Sequence, residues 1–128
     1  AGVRSRVLDL VREAGPMLGL EPSVLFEGPV DSTTPVAVAT DMLATLREAL
    51  SNVARHAGAS HVEVVVTIDE AELVVRVTDD GAGPPAPGQA RGHGLDNMQT
   101  RAERRGGSLV LRQAAPHGTV VDWRVPCT

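Results

Sequence analysis

The sequence predicts a two-layer α/β sandwich of the α+β kind, with helices packed on one face of a mixed, mainly antiparallel sheet. Two stretches with helical periodicity lie in the first half, and hairpin-linked alternating stretches lie in the second. The length, 128 residues, suits one hydrophobic core. Strands that follow one another through hairpins pair antiparallel, which leaves the helices to cover a single face.

The elements follow in order. Val3, Val7, Leu10, Val11 and Ala14 recur at helical spacing up to Gly15-Pro16, which predicts a first helix over 3–14. Val24-Leu25-Phe26 reads as a short strand, and residues 28–35, rich in Gly, Pro, Ser and Thr, read as a loop. A second helical pattern covers 35–57, with Gly58 as its C-terminal stop and Leu43, Leu46, Leu50, Val53 and Ala57 as its apolar face. Residues 61–69 and 72–78 are Val-rich and alternate, joined through Asp69-Glu70-Ala71 at hairpin length. A Gly/Pro-rich loop over 80–92 leads to a helix over 95–105 that Gly106-Gly107 ends, and residues 108–113 and 119–125 form a second hairpin. No internal repeat is visible. The only biased segment, Pro84-Pro85-Ala86-Pro87-Gly88, is too short to link domains, so 1–128 is expected to be a single domain. The chain starts without Met inside a helical pattern, and is expected to be a piece of a longer protein.

Composition narrows the function. Hydrophobic residues make up 42%, yet Phe26 and Trp123 are the only aromatics, so the core must be aliphatic and base-stacking recognition of nucleic acid is disfavoured. A net charge of -4 offers no basic face in bulk, although Arg101, Arg104 and Arg105 cluster; no nucleic-acid partner is expected. The lone Cys127 cannot form an intrachain disulfide, and the four histidines show no helical ligand spacing for structural zinc. No run of about 18 apolar residues and no signal peptide appears, so direct membrane contact is not expected and a cytoplasmic setting is.

Three places carry chemistry. Glu48, Asn52 and Arg55 share a second face of the long helix at spacings of four and three, where a carboxylate, an amide oxygen and a cation can hold a metal–phosphate complex together. Such a stripe is also what the solvated side of an amphipathic helix looks like. A strand then runs into Asp79-Asp80-Gly81-Ala82-Gly83, whose glycines let backbone approach a flat ligand and whose carboxylate can accept from an exocyclic amine; an ordinary Asp-Gly turn reads the same way. Gly92-His93-Gly94-Leu95 stands directly before a helix, a place where free N–H groups and the helix dipole favour phosphate. Neither the dinucleotide fingerprint G-x-G-x-x-G in a βαβ unit nor a P-loop is present. Gly118-Thr119, at the start of the last strand, is a further small polar site and equally a hairpin turn.

In this order, Glu48-Ala49-Leu50-Ser51-Asn52 with Arg55-His56-Ala57, then Asp79-Asp80-Gly81-Ala82-Gly83, Gly92-His93-Gly94-Leu95-Asp96-Asn97-Met98 and Gly118-Thr119 resemble the N, G1, G2 and G3 boxes of the GHKL ATPase family. Arg101-Ala102-Glu103-Arg104 before Gly106-Gly107-Ser108-Leu109 is similar to sensor histidine kinases of the NarL-partner type. The wording also resembles the oxygen-sensing dormancy kinases of mycobacteria, although no residue offers itself as a haem ligand. The resemblance implies a Bergerat-type sandwich that binds ATP and Mg²⁺. It implies that Asp79 accepts from the adenine amino group beside Gly81 and Gly83, and that Thr119 supports the adenine. Asn52 is then the Mg²⁺ ligand, and Glu48 orients metal-bound water or acts as base. Arg55 and His56 approach the phosphates, and Gly92, Gly94 and Leu95 offer backbone donors.

By the same resemblance the γ-phosphoryl group goes to a histidine on the protein's own dimerisation domain and onward to a response regulator, in a full-length homodimer. His56, His61, His93 and His117 occupy no dimerisation helix, so none is expected to be the acceptor; His93 is expected as a local lid contact. The lid departs from many relatives, since only residues 84–91 separate the two glycine boxes, and this predicts weak nucleotide affinity for the domain alone. Two other functions fit the same residues: a serine kinase of the anti-sigma-factor type, and a nucleotide-sensing module without phosphotransfer.

Overall fold

A computed structural model describes residues 2–56, 58–84 and 92–127. Their order is α1 (Val3–Leu18), β1 (Ser23–Glu27), α2 (Val30–Thr33), α3 (Val36–His56), β2 (Val62–Ile68), β3 (Glu72–Asp79), α4 (Gly92–Arg104), β4 (Ser108–Gln113) and β5 (Thr119–Pro126). The five strands form one sheet in the order β1-β2-β3-β5-β4. β1 runs parallel to β2, and every other pair is antiparallel. The sheet is mixed and mainly antiparallel, as the hairpin spacing implies.

Alternation decides which side of the sheet meets the helices. Val62, Val64, Val66 and Ile68 of β2 are buried together with Leu73, Val75 and Val77 of β3 and Val121, Trp123 and Val125 of β5. Above them lie Met42, Leu43, Leu46, Leu50 and Val53 of α3 and Leu95, Met98 and Ala102 of α4. Trp123, opposite Val75 in the β3–β5 register, donates its indole N–H to the Met98 carbonyl at 3.0 Å. That bond satisfies the one polar atom of a fully buried ring and pins α4 to the sheet.

The opposite face is partly ionic. Asp122, 5% exposed, accepts from Arg76 and Arg124, each at 3.1 Å, and Arg124 also reaches Glu72. Burial pushes the Asp122 carboxyl up, but hydrogen bonds from Arg124 and Arg76 outweigh it and the net shift is downward.

Three boundaries differ from expectation. α1 does not stop at Ala14 but runs through Gly15-Pro16 to Leu18, closing on Gly19 at φ +72° with an N–H bond to the Gly15 carbonyl of 2.8 Å. Pro16 forfeits one helical bond in the last turn, and Leu18 and Leu20 gain contact with the core in return. The 28–35 segment contains the helical turn α2, held by a fully buried Val30 and by the Thr33 hydroxyl donating to the Pro29 carbonyl at 2.8 Å. α4 begins at Gly92 rather than Leu95, so Gly92-His93-Gly94 is its first turn and not a loop before it. Poor intrinsic propensity argued for the later start, and packing against α3 overrides it. Among the described residues no helix is long and apolar enough to cross a membrane.

Candidate functional site

Asp79 is the last residue of β3 and shares the parity of Val75 and Val77, so its carboxylate turns towards the helical layer. It is 5% exposed. Its Oδ1 accepts the Gly81 N–H at 2.8 Å, and the N–H of Thr119, its partner in the β3–β5 register, also donates to the carboxylate. Burial is the largest influence and raises its pKa against both bonds, with the neighbouring Asp80 charge acting in the same direction as burial. A desolvated carboxylate with acceptor capacity left over suits an N–H donor from a ligand.

Asp80 has a different task. It accepts the Ser60 and His61 N–H groups at 2.7 and 2.9 Å, and its second oxygen lies 3.1 Å from His61 Nδ1. The His61 backbone bond, followed by the His61 ring and the Ser60 N–H, outweighs desolvation and brings its pKa down to about 2. The folded value lies below the unfolded one, so the stability it contributes is present above about pH 4 and is lost as pH falls towards 2. Asp80→Asn should flatten the fall of the thermal midpoint between pH 4.5 and about 2, measured by circular dichroism; an unchanged pH profile would remove Asp80 from this role.

Glycine geometry ties this corner together. Gly118 has φ +113°, and a Cβ there would overlap the Asp79 carbonyl oxygen and stand 2.8 Å from Asp80 Cα. Gly83, at φ +97°, faces the Gly118 carbonyl, its Cβ position lying 3.6 Å away, and His117 Nδ1 is 3.3 Å from the Gly81 carbonyl. The Asp79–Asp80–Gly81–Ala82–Gly83 segment and the turn before β5 thus lean on each other backbone to backbone.

On α3, Glu48 and Asn52 are half-buried and Arg55 is exposed. Arg55 Nη2 donates to Asn52 Oδ1 at 2.9 Å, which leaves that oxygen its second lone pair. Gly94, in the first turn of α4, sits directly over them: a Cβ there would stand 3.1 Å from Glu48 Oε2 and 3.5 Å from Asn52 Oδ1. Leu95 is buried and seats the helix, whose first four N–H groups have no intrahelical acceptor. A carboxylate and an amide oxygen converging under a glycine are hard donors of the kind Mg²⁺ takes. Among the described residues no cluster of three or more His, Cys, Asp or Glu could hold a metal. The donor set therefore fits an ion carried by a phosphate group, since Mg²⁺ keeps several waters and needs few protein ligands.

The expected residues thus fall into two groups. Asp79, Gly81, Gly83 and Thr119 meet at the end of β3, while Glu48, Asn52, Arg55, Gly94 and Leu95 meet where α3 faces the start of α4. The side chains of His56 and His93, together with Ala57 and residues 85–91 of the lid, lie outside the described residues.

One contact was missed. Arg101 Nη2 of α4 lies 2.6 Å from Glu48 Oε1, and both side chains are 22% exposed. A signal for it existed, because Gly94 and Arg101 are seven apart and therefore share a helix face. Arg105 likewise pairs with Asp41 and donates to the Ala37 carbonyl at 3.0 Å, so the apparent basic cluster is largely spent on α3.

The chain is similar to known proteins along most of its length. Residues 37–128 match the histidine kinase-, DNA gyrase B- and HSP90-like ATPase family. The chain is 34% identical over 117 residues to sensor histidine kinase YxjM of Bacillus subtilis, covering 91% of this chain and 28% of that protein. It is 40% identical over 83 residues to the nitrate/nitrite sensor protein NarQ of Escherichia coli, covering 63% of this chain and 15% of that one. The chain thus spans under a third of the length of these relatives. In fold it is similar to the histidine kinase domain of the Erythrobacter litoralis blue-light activated histidine kinase, with a TM-score of 0.75 at 21% identity, over 98% of this chain and 61% of that one. A match over most of its length places the chain in the family of histidine kinase-, DNA gyrase B- and HSP90-like ATPases.

Proposed function

We propose that this chain is a single ATP-binding catalytic domain of a longer sensor histidine kinase. It holds ATP with Mg²⁺ and presents the γ-phosphoryl group to a histidine on the kinase's own dimerisation domain, for onward transfer to a response regulator. The reading includes a cytoplasmic setting and a homodimeric full-length protein. The observation that carries it is the seat of Gly94 over Glu48 and Asn52, which joins a helix N-terminus to a pair of hard oxygen donors.

In this reading Asp79 accepts the adenine amino group, Gly81 and Gly83 let the ring lie close to backbone, and Thr119 fixes the carboxylate through its N–H. Asn52 would hold Mg²⁺ and Glu48 would orient metal-bound water or act as base, while Arg55 and His56 would approach the phosphates. Gly92, His93, Gly94 and Leu95 bring the first turn of α4 to the phosphate oxygens, where its N–H groups offset charge. Bound Mg²⁺ would supply further neutralisation of the phosphates. The chain's residues mostly position and neutralise, which is the main requirement of phosphoryl transfer.

Thermal-shift measurements test the reading. ATP with Mg²⁺ should raise the melting midpoint of the chain and GTP should not, while Asn52→Ala should lose the Mg²⁺-dependent part of the shift. An equal shift with GTP, or none with ATP at millimolar concentration, would overturn it. If ATP binds normally but no acid-labile phosphohistidine forms on a supplied dimerisation domain, the serine-kinase or nucleotide-sensor reading replaces the histidine-kinase one.

A further inference from the structure

We infer that Arg101 is the positioning residue of the metal-phosphate end, holding Glu48 in the orientation that its role requires; this rests on the reading proposed above. Glu48 carries two oxygens with two different neighbours. Oε1 is held by Arg101 Nη2 at 2.6 Å, and Oε2 is the atom that faces Gly94, 3.1 Å from where a Cβ would be. The guanidinium therefore occupies one oxygen and leaves the other aimed beneath the first turn of α4, beside the Asn52 amide. Without that grip a glutamate on α3 would be free to change rotamer.

Stability alone does not account for the pair. Arg101 Nη1 is buried with no hydrogen-bond partner among the described residues. An unpaired buried donor is costly, and pairs largely removed from water are often replaced by apolar residues at no loss of stability. Just past the end of α4, Arg105 spends two nitrogens on Asp41 and the Ala37 carbonyl, so this end of α4 is already fastened to α3 without Arg101. Trp123 fastens it to the sheet as well. What Arg101 adds is the direction of one carboxylate.

The contact runs from one nitrogen to one oxygen, so a lysine could keep part of it, which a two-pronged arginine contact would not allow. The test measures ATP dissociation constants with and without Mg²⁺ for this chain, its Arg101→Met, Arg101→Lys and Glu48→Gln variants, and the double variant Glu48→Gln/Arg101→Met. Arg101→Met should cut the tightening that Mg²⁺ gives by about tenfold, while leaving Mg²⁺-free affinity within about threefold of the wild type. Arg101→Lys should recover part of the loss. The double variant should bind no worse than Glu48→Gln within about twofold, because the arginine acts through the glutamate, and its melting midpoint should stay near that of the wild type.

Three results overturn the inference while leaving ATP binding by the wild type intact. One is equal weakening of Mg²⁺-free binding in Arg101→Met, which would mean that Arg101 touches the nucleotide itself. Another is additive loss in the double variant. The third is a wild type that gains nothing from Mg²⁺. A wild type that binds no ATP under either condition removes the proposed function, and this inference with it.

Discussion

Asp79→Asn is expected to weaken ATP binding by about 10- to 100-fold, the worth of one hydrogen bond to a charged acceptor of about 1.5–3 kcal/mol. The substitution keeps an oxygen for the Gly81 N–H but turns an amide N–H₂ towards the donors that the second carboxylate oxygen would accept, including an exocyclic amine of a ligand. Stability should respond in a different way. Burial raises the Asp79 pKa in the folded protein, so the fold binds this proton more tightly than the unfolded chain does, and its ionised form lowers stability as pH rises above the unfolded value. At neutral pH the amide removes that cost and loses the Thr119 bond, so the unfolding free energy should change by less than about 1 kcal/mol. The measurement is a fluorescent-nucleotide titration beside a urea unfolding curve. Normal affinity in the variant would remove Asp79 from the adenine site, and a large stability loss would make its role structural.

How legible these arrangements are in one dimension depends on what creates them. α3, β2 and β3 follow directly from the spacing of Leu and Val, because a regular period and a buried aliphatic face are the same fact. α2 has no period to read in four residues; the burial of Val30 and the Thr33 bond to the Pro29 carbonyl define it. The overshoot of α1 past Gly15-Pro16 turns on Leu18 and Leu20 finding the core, a long-range gain that a local stop signal does not contain. The start of α4 is a similar case: Gly92-His93-Gly94 is poor helix wording, yet the missing Cβ of Gly94 is what allows the first turn to rest on Glu48 and Asn52. Glu48, Asn52 and Asp79 could be picked out as residue types at suitable spacing. Between Asp79 and Asp80 only the family resemblance chose, and the structure supplies the physical difference: Asp79 turns towards the helices, and Asp80 caps Ser60 and His61. Arg101 stood out as part of a charge cluster and of a family-like segment, but its pairing with Glu48 lies in the approach of two helices.

Gly118→Ala should be the most damaging single methyl in the site. Two costs meet there. At φ +113° an L-residue is strained by roughly 1–3 kcal/mol, and the new Cβ overlaps the carbonyl oxygen of Asp79, the last residue of the β3–β5 ladder, and crowds Asp80 Cα beside it, backbone atoms that cannot yield cheaply. Together these should exceed about 3 kcal/mol, enough to lower the melting midpoint by about 10 °C or more in a domain of this size. Gly19→Ala is the internal control. Gly19 also has positive φ, at +72°, but nothing lies within 4 Å of its Cβ position, so only the conformational strain of about 1–2 kcal/mol applies. The difference between the two midpoints isolates the close approach of the turn to Asp79. ATP affinity should fall at 118 and not at 19, because the Thr119 N–H that holds the Asp79 carboxylate follows immediately after the displaced residue. Equal midpoints for the two variants would mean that the turn can retreat from β3 at little cost, and that the carboxylate is held by the Gly81 bond alone.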